Sequence, residues 1–190
     1  RLKDEVIPAV RQGKALVAPR RISLRLSVAT KQEASTAVIS GIKAIDLNLT
    51  RIILENPEVL SPLRRAILIG MATNNIEALD AALLEFRENL KRTLSDITGD
   101  VSLERISISL LDIPLMSLVT VSDKEIEGLA KSLGIPKDVL IERIKSFKEA
   151  NPMIGERGVR LLISRGEKLF EAQIAAAFEA SKGFTNRPIL

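Results

Sequence analysis

The chain has 190 residues, which is about one domain with a sizeable buried core. Its 28 Lys and Arg against 24 Asp and Glu leave a net charge of +4, and hydrophobic residues make up 46%, which excludes a disordered or collagen-like chain. Cys and His are absent, so disulfides, thiolate nucleophiles, zinc–thiolate sites and an imidazole base are excluded within these residues. No apolar run reaches the roughly 18 residues of a membrane span and no secretory or transit peptide is visible, so we expect a cytoplasmic protein without a membrane partner.

Strands and helices are predicted to alternate after an Arg- and Lys-dotted lead-in at 1–20, which implies an α/β fold with a parallel sheet. Alternation of apolar and polar residues with period two predicts the strands, and helical periodicity bounded by Gly and Pro predicts the helices. The predicted strands are 22–28, 44–49, 105–111 and a short 157–163, with the start of another at 187–190. The predicted helices are 30–41, 63–72 (after loops at Asn56-Pro57 and Ser61-Pro62), 74–99, 123–133, 137–150 and 167–182.

The longest predicted helix begins with a capping-box spacing, in which Asn74 is followed three residues later by Glu77. Its apolar residues recur every three or four positions and therefore form one continuous stripe. We expect this stripe to pack on the sheet rather than to bind a partner. The stripe consists of Ile76, Leu79, Leu83, Phe86, Leu90, Leu94 and Ile97.

The predicted strands carry polar residues at alternate positions, although buried parallel strands are usually apolar throughout. One face of the sheet is therefore predicted to be polar. That face either lines a solvated ligand cavity or belongs to a sheet that is open on one side. The polar positions are Ser23, Arg25, Ser27, Asp46, Asn48, Thr50, Ser107 and Ser109.

Few motifs point to chemistry when the residues are taken alone, since neither Gly-x-Gly-x-x-Gly nor a Walker loop occurs. Asp46 and Asp112 lie at or near the ends of predicted strands, where α/β sheets place their sites, but their spacing alone does not favour a metal site. The segment Gly155-Glu156-Arg157-Gly158 is either a surface turn or a loop that presents Arg157 and backbone amides to a phosphate.

A basic stretch surrounds this loop. We interpret it as a solvated face rather than a nucleic-acid interface, because the chain has no Trp or Tyr and only five Phe, and no nucleic-acid-binding motif accompanies the charges. No nucleic-acid partner is therefore expected. The basic residues are Lys145, Lys148, Arg157, Arg160 and Arg165.

The segment from Asn151 to Arg160 resembles the Asn-Pro-Met-x-Gly-x-Arg-Gly-x-Arg motif of pyruvate phosphate dikinase, and related motifs occur in phosphoenolpyruvate synthase and in enzyme I of the sugar phosphotransferase system. Leu111-Asp112-Ile113-Pro114-Leu115 is similar to the family's Leu-Asp-Pro-Pro-Leu after the third strand. The resemblance continues through the first strand and its helix, the helix pair before the motif and the helix after it. It covers roughly residues 22–190.

The resemblance implies a TIM-type (β/α)₈ barrel that binds phosphoenolpyruvate (PEP) or pyruvate at its C-terminal mouth. A typical barrel takes about 250 residues, so 21–190 is expected to form about the first half of the barrel, as part of a longer protein. The resemblance also places the family's Mg²⁺-binding carboxylates and catalytic Cys after the matched stretch. No catalytic residue, metal ligand or cofactor is therefore expected within this chain.

The resemblance implies three substrate arginines, and the sequence keeps one of them. Leu49 stands where the arginine of the family's Gly-Leu-x-Arg-Thr-Glu motif belongs, with Arg51 in place of the glutamate, and Ser109 replaces the second arginine. Arg157 matches the third and is the predicted substrate-binding residue. Losing two charge-assisted hydrogen bonds predicts binding that is weaker by about 10² to 10⁴-fold. Arg51, expected on the same strand face as Leu49, leaves partial compensation open.

Two functions stay open at this point. The chain is either part of a PEP-utilising phosphotransferase of the dikinase or synthase type, or a non-catalytic, degenerate relative that acts as a scaffold or oligomerisation module. In the first case we expect it to be inactive in isolation and to bind PEP or pyruvate weakly if at all, through Arg157. Because a half barrel leaves two open sheet edges, we also expect self-association, most simply as a symmetric homodimer.

Overall fold

A computed structural model describes residues 24–72, 75–99, 101–119, 122–146, 155–164 and 166–183. The lead-in at 1–20, the first residues of the predicted 22–28 strand and the strand start at 187–190 lie outside these ranges. None of the helices described is both long and apolar enough to cross a membrane.

Three short parallel strands form a sheet in the order β1-β2-β3, with helices in the connections and after the last strand. The α/β class with a parallel sheet is thereby confirmed. The strands are β1 (Leu26–Val28), β2 (Ala44–Asn48) and β3 (Arg105–Ser109). The helices are α1 (Lys31–Ile39), α2 (Leu49–Glu55), α3 (Pro57–Ala72), α4 (Ile76–Thr98), α5 (Leu115–Val119), α6 (Asp123–Leu133), α7 (Lys137–Ser146), α8 (Gly158–Ser164) and α9 (Glu167–Ser181).

The second strand ends one residue earlier than predicted, because Asn48 caps the helix that follows. Its side-chain oxygen accepts a hydrogen bond from the Arg51 amide at 3.1 Å, which satisfies one of the free N–H groups of the first turn of α2. Leu49 and Arg51 are therefore helical, and the prediction that they share a strand face is wrong. Leu49 is fully buried, whereas Arg51 is partly exposed.

Helix α3 runs straight through Ser61-Pro62, which the sequence predicted to be a loop and a helix start. Pro62 has no N–H to offer the carbonyl of Glu58, four residues earlier. Asn89 of α4 supplies the missing donor, since its side-chain N–H bonds to the Glu58 carbonyl at 2.8 Å. The prediction failed because this compensation comes from a distant helix.

The N-cap of helix α4 lies one residue later than predicted. Its N-cap is Asn75, whose side chain accepts from the Ala78 amide at 3.0 Å, while Asn74 lies outside the described residues. Within the predicted stripe, Ile76 is exposed and the positions from Leu83 to Ile97 are buried. Helix α4 lies against α3 and α9, and the buried residues of its stripe share one core cluster with Ile45 and Leu47 of β2.

The predicted strand over 157–163 is a helix, α8. Leu161 and Leu162 are buried while Val159 and Ile163 are exposed, and α8 packs against α9. A short apolar run cannot be assigned to a strand or to a buried helical turn from periodicity alone, which explains the error.

Helices α4 and α9 pack side by side across much of the core. The buried face of α9 is rich in alanine, with Ala172, Ala176 and Ala177 among its buried residues, and small side chains let neighbouring helices approach closely. An ion pair near each end of α9 joins it to α4: Lys168 with Asp80 at 2.6 Å, and Glu179 with Arg87. This packing fixes α9 relative to the rest of the core.

Candidate functional site

A hydrogen-bonded chain of polar side chains covers one face of all three strands. The Asp46 carboxylate accepts from the hydroxyls of Ser107 and Ser109, each at 2.8 Å. Arg25 reaches across from the β1 side and donates from Nη1 to the Ser107 hydroxyl at 3.1 Å. Ser27, Asp46 and Ser107 stand opposite one another in register. The predicted polar face is confirmed for these members.

Asn48, the last residue of β2, stands opposite Ser109 in register and belongs to this strand face as predicted, whereas Thr50 does not extend it. Asn48 caps α2, and Thr50 is the second residue of that helix. The Thr50 hydroxyl oxygen accepts a hydrogen bond from the Asp112 amide at 2.9 Å. Thr50 therefore ties the segment after β2 to the segment after β3.

Arg157 and Asp112 form an ion pair beyond the carboxyl end of β3. Arg157 donates from Nε to Oδ1 at 3.1 Å and from Nη2 to Oδ2 at 3.4 Å. The hydrogen bond to Asp112, and then the charge of that carboxylate, raise the pKa of Arg157. The side chains are 35% and 61% exposed, so water reaches both partners. The Arg157 carbonyl also accepts the first hydrogen bonds of α8, from Arg160 and Leu161.

Glycine after Arg157 favours this pairing. Gly158 has φ +50°, and a Cβ built on it would lie 2.9 Å from Oδ1 of Asp112. A side chain at this position would both strain the backbone and displace the carboxylate. The predicted glycine-bracketed arginine loop is thus shaped to meet Asp112.

A buried glutamine holds the loop after β3 from the other side. The side-chain oxygen Oε1 of Gln173 accepts a hydrogen bond from the Leu111 amide at 3.0 Å. The side-chain Nε2 donates to the backbone carbonyl of Leu169 at 3.3 Å. Gln173 is fully buried on α9. Sequence reasoning missed it, although a lone amide among the alanines of an apolar helix face is a signal, since a buried polar group needs a partner.

Arg51 is engaged by carboxylates of its own chain. It donates from Nη2 to Oε1 of Glu33 at 2.9 Å and from Nε to Glu55 at 3.2 Å, so it links α1 with α2. The hydrogen bond from Arg51, followed by that from the Ala29 amide, lowers the pKa of Glu33. Arg51 is therefore an internal cross-link in this structure.

Comparison with known proteins assigns the chain to a family. A model described as PEP-utilising enzyme, PEP-binding domain, matches residues 4–190. The chain belongs to the PEP-utilising enzymes. This confirms the resemblance seen in the motifs around Arg157 and Asp112, which the fold brings into contact.

Several pyruvate, phosphate dikinases are similar to this PEP-utilising enzyme chain. The protein from Rhizobium meliloti (strain 1021) is 32% identical over 164 residues, or 86% of the chain. The chloroplastic protein from Flaveria trinervia is 30% identical over 173 residues, or 90% of the chain. The pyruvate, phosphate dikinase of Rickettsia bellii (strain RML369-C) is 28% identical over 160 residues, or 84% of the chain. In each case the chain spans 18% of the relative's length.

Of the three positions that the resemblance assigns to substrate arginines, the two occupied by Leu49 and Ser109 offer no cation. Leu49 is fully buried at the start of α2, and the Ser109 hydroxyl donates to Asp46. Arg157 is the position of the three that presents a guanidinium.

Asp46 and Asp112, the acidic residues near the strand ends, do not fit the Mg²⁺ that the resemblance implies. Asp46 uses both carboxylate oxygens on serine hydroxyls, and Asp112 uses both on Arg157. In the part of the chain that the structure describes, no three acidic side chains gather as a metal site would require. We assign no metal ligand to these residues.

The predicted basic stretch is only partly described. Lys145 and Arg160 are exposed, Arg157 lies on Asp112, and Lys148 and Arg165 fall outside the described residues.

Proposed function

We propose that this chain supplies a substrate-binding part of a PEP-utilising phosphotransferase of the pyruvate phosphate dikinase type, and that Arg157 contacts an anionic group of PEP or pyruvate. The observation that carries the proposal is that Asp112 binds the Arg157 guanidinium along one edge only, through Nε and Nη2. Within the described residues Nη1 makes no hydrogen bond that would occupy it. A guanidinium fixed along one edge presents the other to a carboxylate or phosphate.

The position of the pair also supports the proposal. Asp112 follows the carboxyl end of β3 by three residues, and parallel α/β sheets bind ligands at that end. The consecutive parallel order of the strands, with helices between them, agrees with a barrel segment. We include a (β/α)-barrel arrangement in the proposal on these grounds.

Weak binding and a lack of turnover by the isolated chain are part of the same proposal. Leu49 and Ser109 contribute no charge, which lowers the affinity by about 10² to 10⁴-fold relative to a site with three arginines. The 190 residues also contain neither Cys nor His as a proton donor or phosphoryl carrier. A coupled pyruvate-release assay with PEP and Mg²⁺ should show no turnover; turnover that disappears in Arg157→Ala would contradict this.

A second function, that of a non-catalytic scaffold or oligomerisation module, is favoured by the sheet edges together with the replaced arginines. Among the strands described, β1 and β3 each have a neighbour on one side only. Unpaired edges favour strand pairing between molecules, most simply in a symmetric homodimer. Light scattering over a dilution series tests this: the scaffold role predicts a dimer mass, and a monomer mass at every concentration contradicts it.

A further inference from the structure

Two consecutive backbone amides in the loop after β3 are fixed by side chains from different helices. The Leu111 amide bonds to Gln173 of α9, and the Asp112 amide bonds to Thr50 of α2. The two hydrogen bonds, at 3.0 and 2.9 Å, hold the loop between the core and the start of α2. The backbone around Asp112 is therefore fixed by hydrogen bonds that do not involve Arg157.

Anchoring matters because the ion pair is exposed. An exposed Arg–Asp pair contributes little when both side chains must give up their rotamer freedom to form it. Fixing the Asp112 backbone reduces the conformational entropy that the ion pair must still remove. Gly158, which has no side chain, lets the backbone next to Arg157 lie close to the Asp112 carboxylate. The guanidinium then takes one orientation, with Nε and Nη2 on the carboxylate.

We propose that Thr50 is a positioning residue for Arg157, acting through the backbone of Asp112. Thr50 lies in α2, just after β2, and its hydroxyl accepts a hydrogen bond from the loop after β3. That loop carries Asp112, which in turn binds Arg157 just before α8. The consequence for PEP rests on the proposed function, in which Arg157 is the substrate contact. The consequence for the orientation of Arg157 does not depend on it.

The test compares Thr50→Val with Thr50→Ser in the whole chain. Valine has the shape of threonine without the acceptor, and serine restores the acceptor, so the two variants separate the hydrogen bond from packing. Proton exchange at the Arg157 Nε–H, followed by NMR, reports its hydrogen bond to Asp112 without any ligand. We expect exchange several-fold faster in Thr50→Val, approaching that in Asp112→Ala, and unchanged in Thr50→Ser. Wild-type exchange in Thr50→Val overturns the proposal, as does an Asp112→Ala variant that leaves exchange unchanged.

Calorimetry with PEP supplies the second readout. Thr50→Val should weaken PEP binding by about 3- to 10-fold while Thr50→Ser does not, with equal thermal midpoints for the two variants. Equal affinities for wild type and Thr50→Val overturn the positioning role. If the wild-type chain shows no PEP binding, the proposed function fails, and the Nε–H exchange still decides for or against the positioning role.

Discussion

Arg157 and Asp112 are separated by 45 positions in the sequence and joined by two hydrogen bonds in the fold, at 3.1 and 3.4 Å. Each belongs to a segment that matches a motif of the PEP-utilising enzymes. Their contact depends on three further residues: Gly158, which permits the close approach, and Thr50 and Gln173, which fix the Asp112 loop. The arginine loop and the loop after β3 therefore form one unit.

Alanine at position 158 should break this unit. The φ of +50° costs alanine about 1–2 kcal/mol, and its Cβ would lie 2.9 Å from the Asp112 carboxylate. We expect a lower thermal midpoint for Gly158→Ala and faster exchange of the Arg157 Nε–H. The matched control is Gly128→Ala in α6, where no atom lies within 4 Å of the new Cβ, and which should stabilise the chain by up to about 1 kcal/mol. Equal effects of the two substitutions would refute the role given to Gly158.

Removing the Gln173 amide should destabilise the whole fold. Gln173→Leu leaves the Leu111 N–H buried without its partner, at a cost of about 1–3 kcal/mol. Gln32→Leu on the exposed side of α1 is the control and should change stability by less than about 0.5 kcal/mol. Urea unfolding followed by circular dichroism measures both. A loss for Gln173→Leu no larger than the control's would show that the buried hydrogen bond is not needed.

The elements that the sequence predicted well are those with local signals. Helix α6 spans Asp123–Leu133 as predicted, because Ser122 and Glu125 form a capping box at its start and Gly134, at φ 64°, ends it. The polar strand face was predictable from alternation alone. The motifs around Asp112 and Arg157 identified the family, which the comparison confirmed.

The features that escaped prediction depend on contacts between distant residues. Helix α3 continues through Pro62 because of Asn89, and Thr50 left the strand face because Asn48 capped a helix. The Arg157–Asp112 pair likewise joins two loops that no local pattern connects. Propensity and periodicity describe one segment at a time, so they cannot show which side chain from another segment completes it.

The link between Pro62 and Asn89 can be tested by a double-mutant cycle. Asn89→Ala should cost about 0.5–1.5 kcal/mol, because it leaves the Glu58 carbonyl without its donor. In a Pro62→Ala background the new backbone N–H can bond to the same carbonyl, so Asn89→Ala should cost less there. Chemical unfolding of the four proteins gives the coupling. Strict additivity would contradict the compensation.

The Glu33–Arg51 pair should make stability depend on pH. Because the pKa of Glu33 is lowered in the folded chain, chiefly by the hydrogen bond from Arg51, the pair stabilises the fold above the unfolded value of about 4.3. That contribution is lost as the pH falls through the lower folded pKa. Glu33→Gln should therefore destabilise the chain more at pH 6 than at pH 3, measured by thermal unfolding. The same deficit at both pH values would contradict the pairing, and Arg51→Gln should add little once Glu33 is replaced.

Calorimetry of PEP binding to the chain and its arginine variants tests the central claim most directly. The control is Arg92→Ala on α4, which removes an exposed guanidinium with the same charge, 63% accessible to solvent. The account predicts weak binding to wild type that persists in Arg92→Ala and disappears in Arg157→Ala. PEP binding that survives Arg157→Ala at unchanged affinity would contradict it.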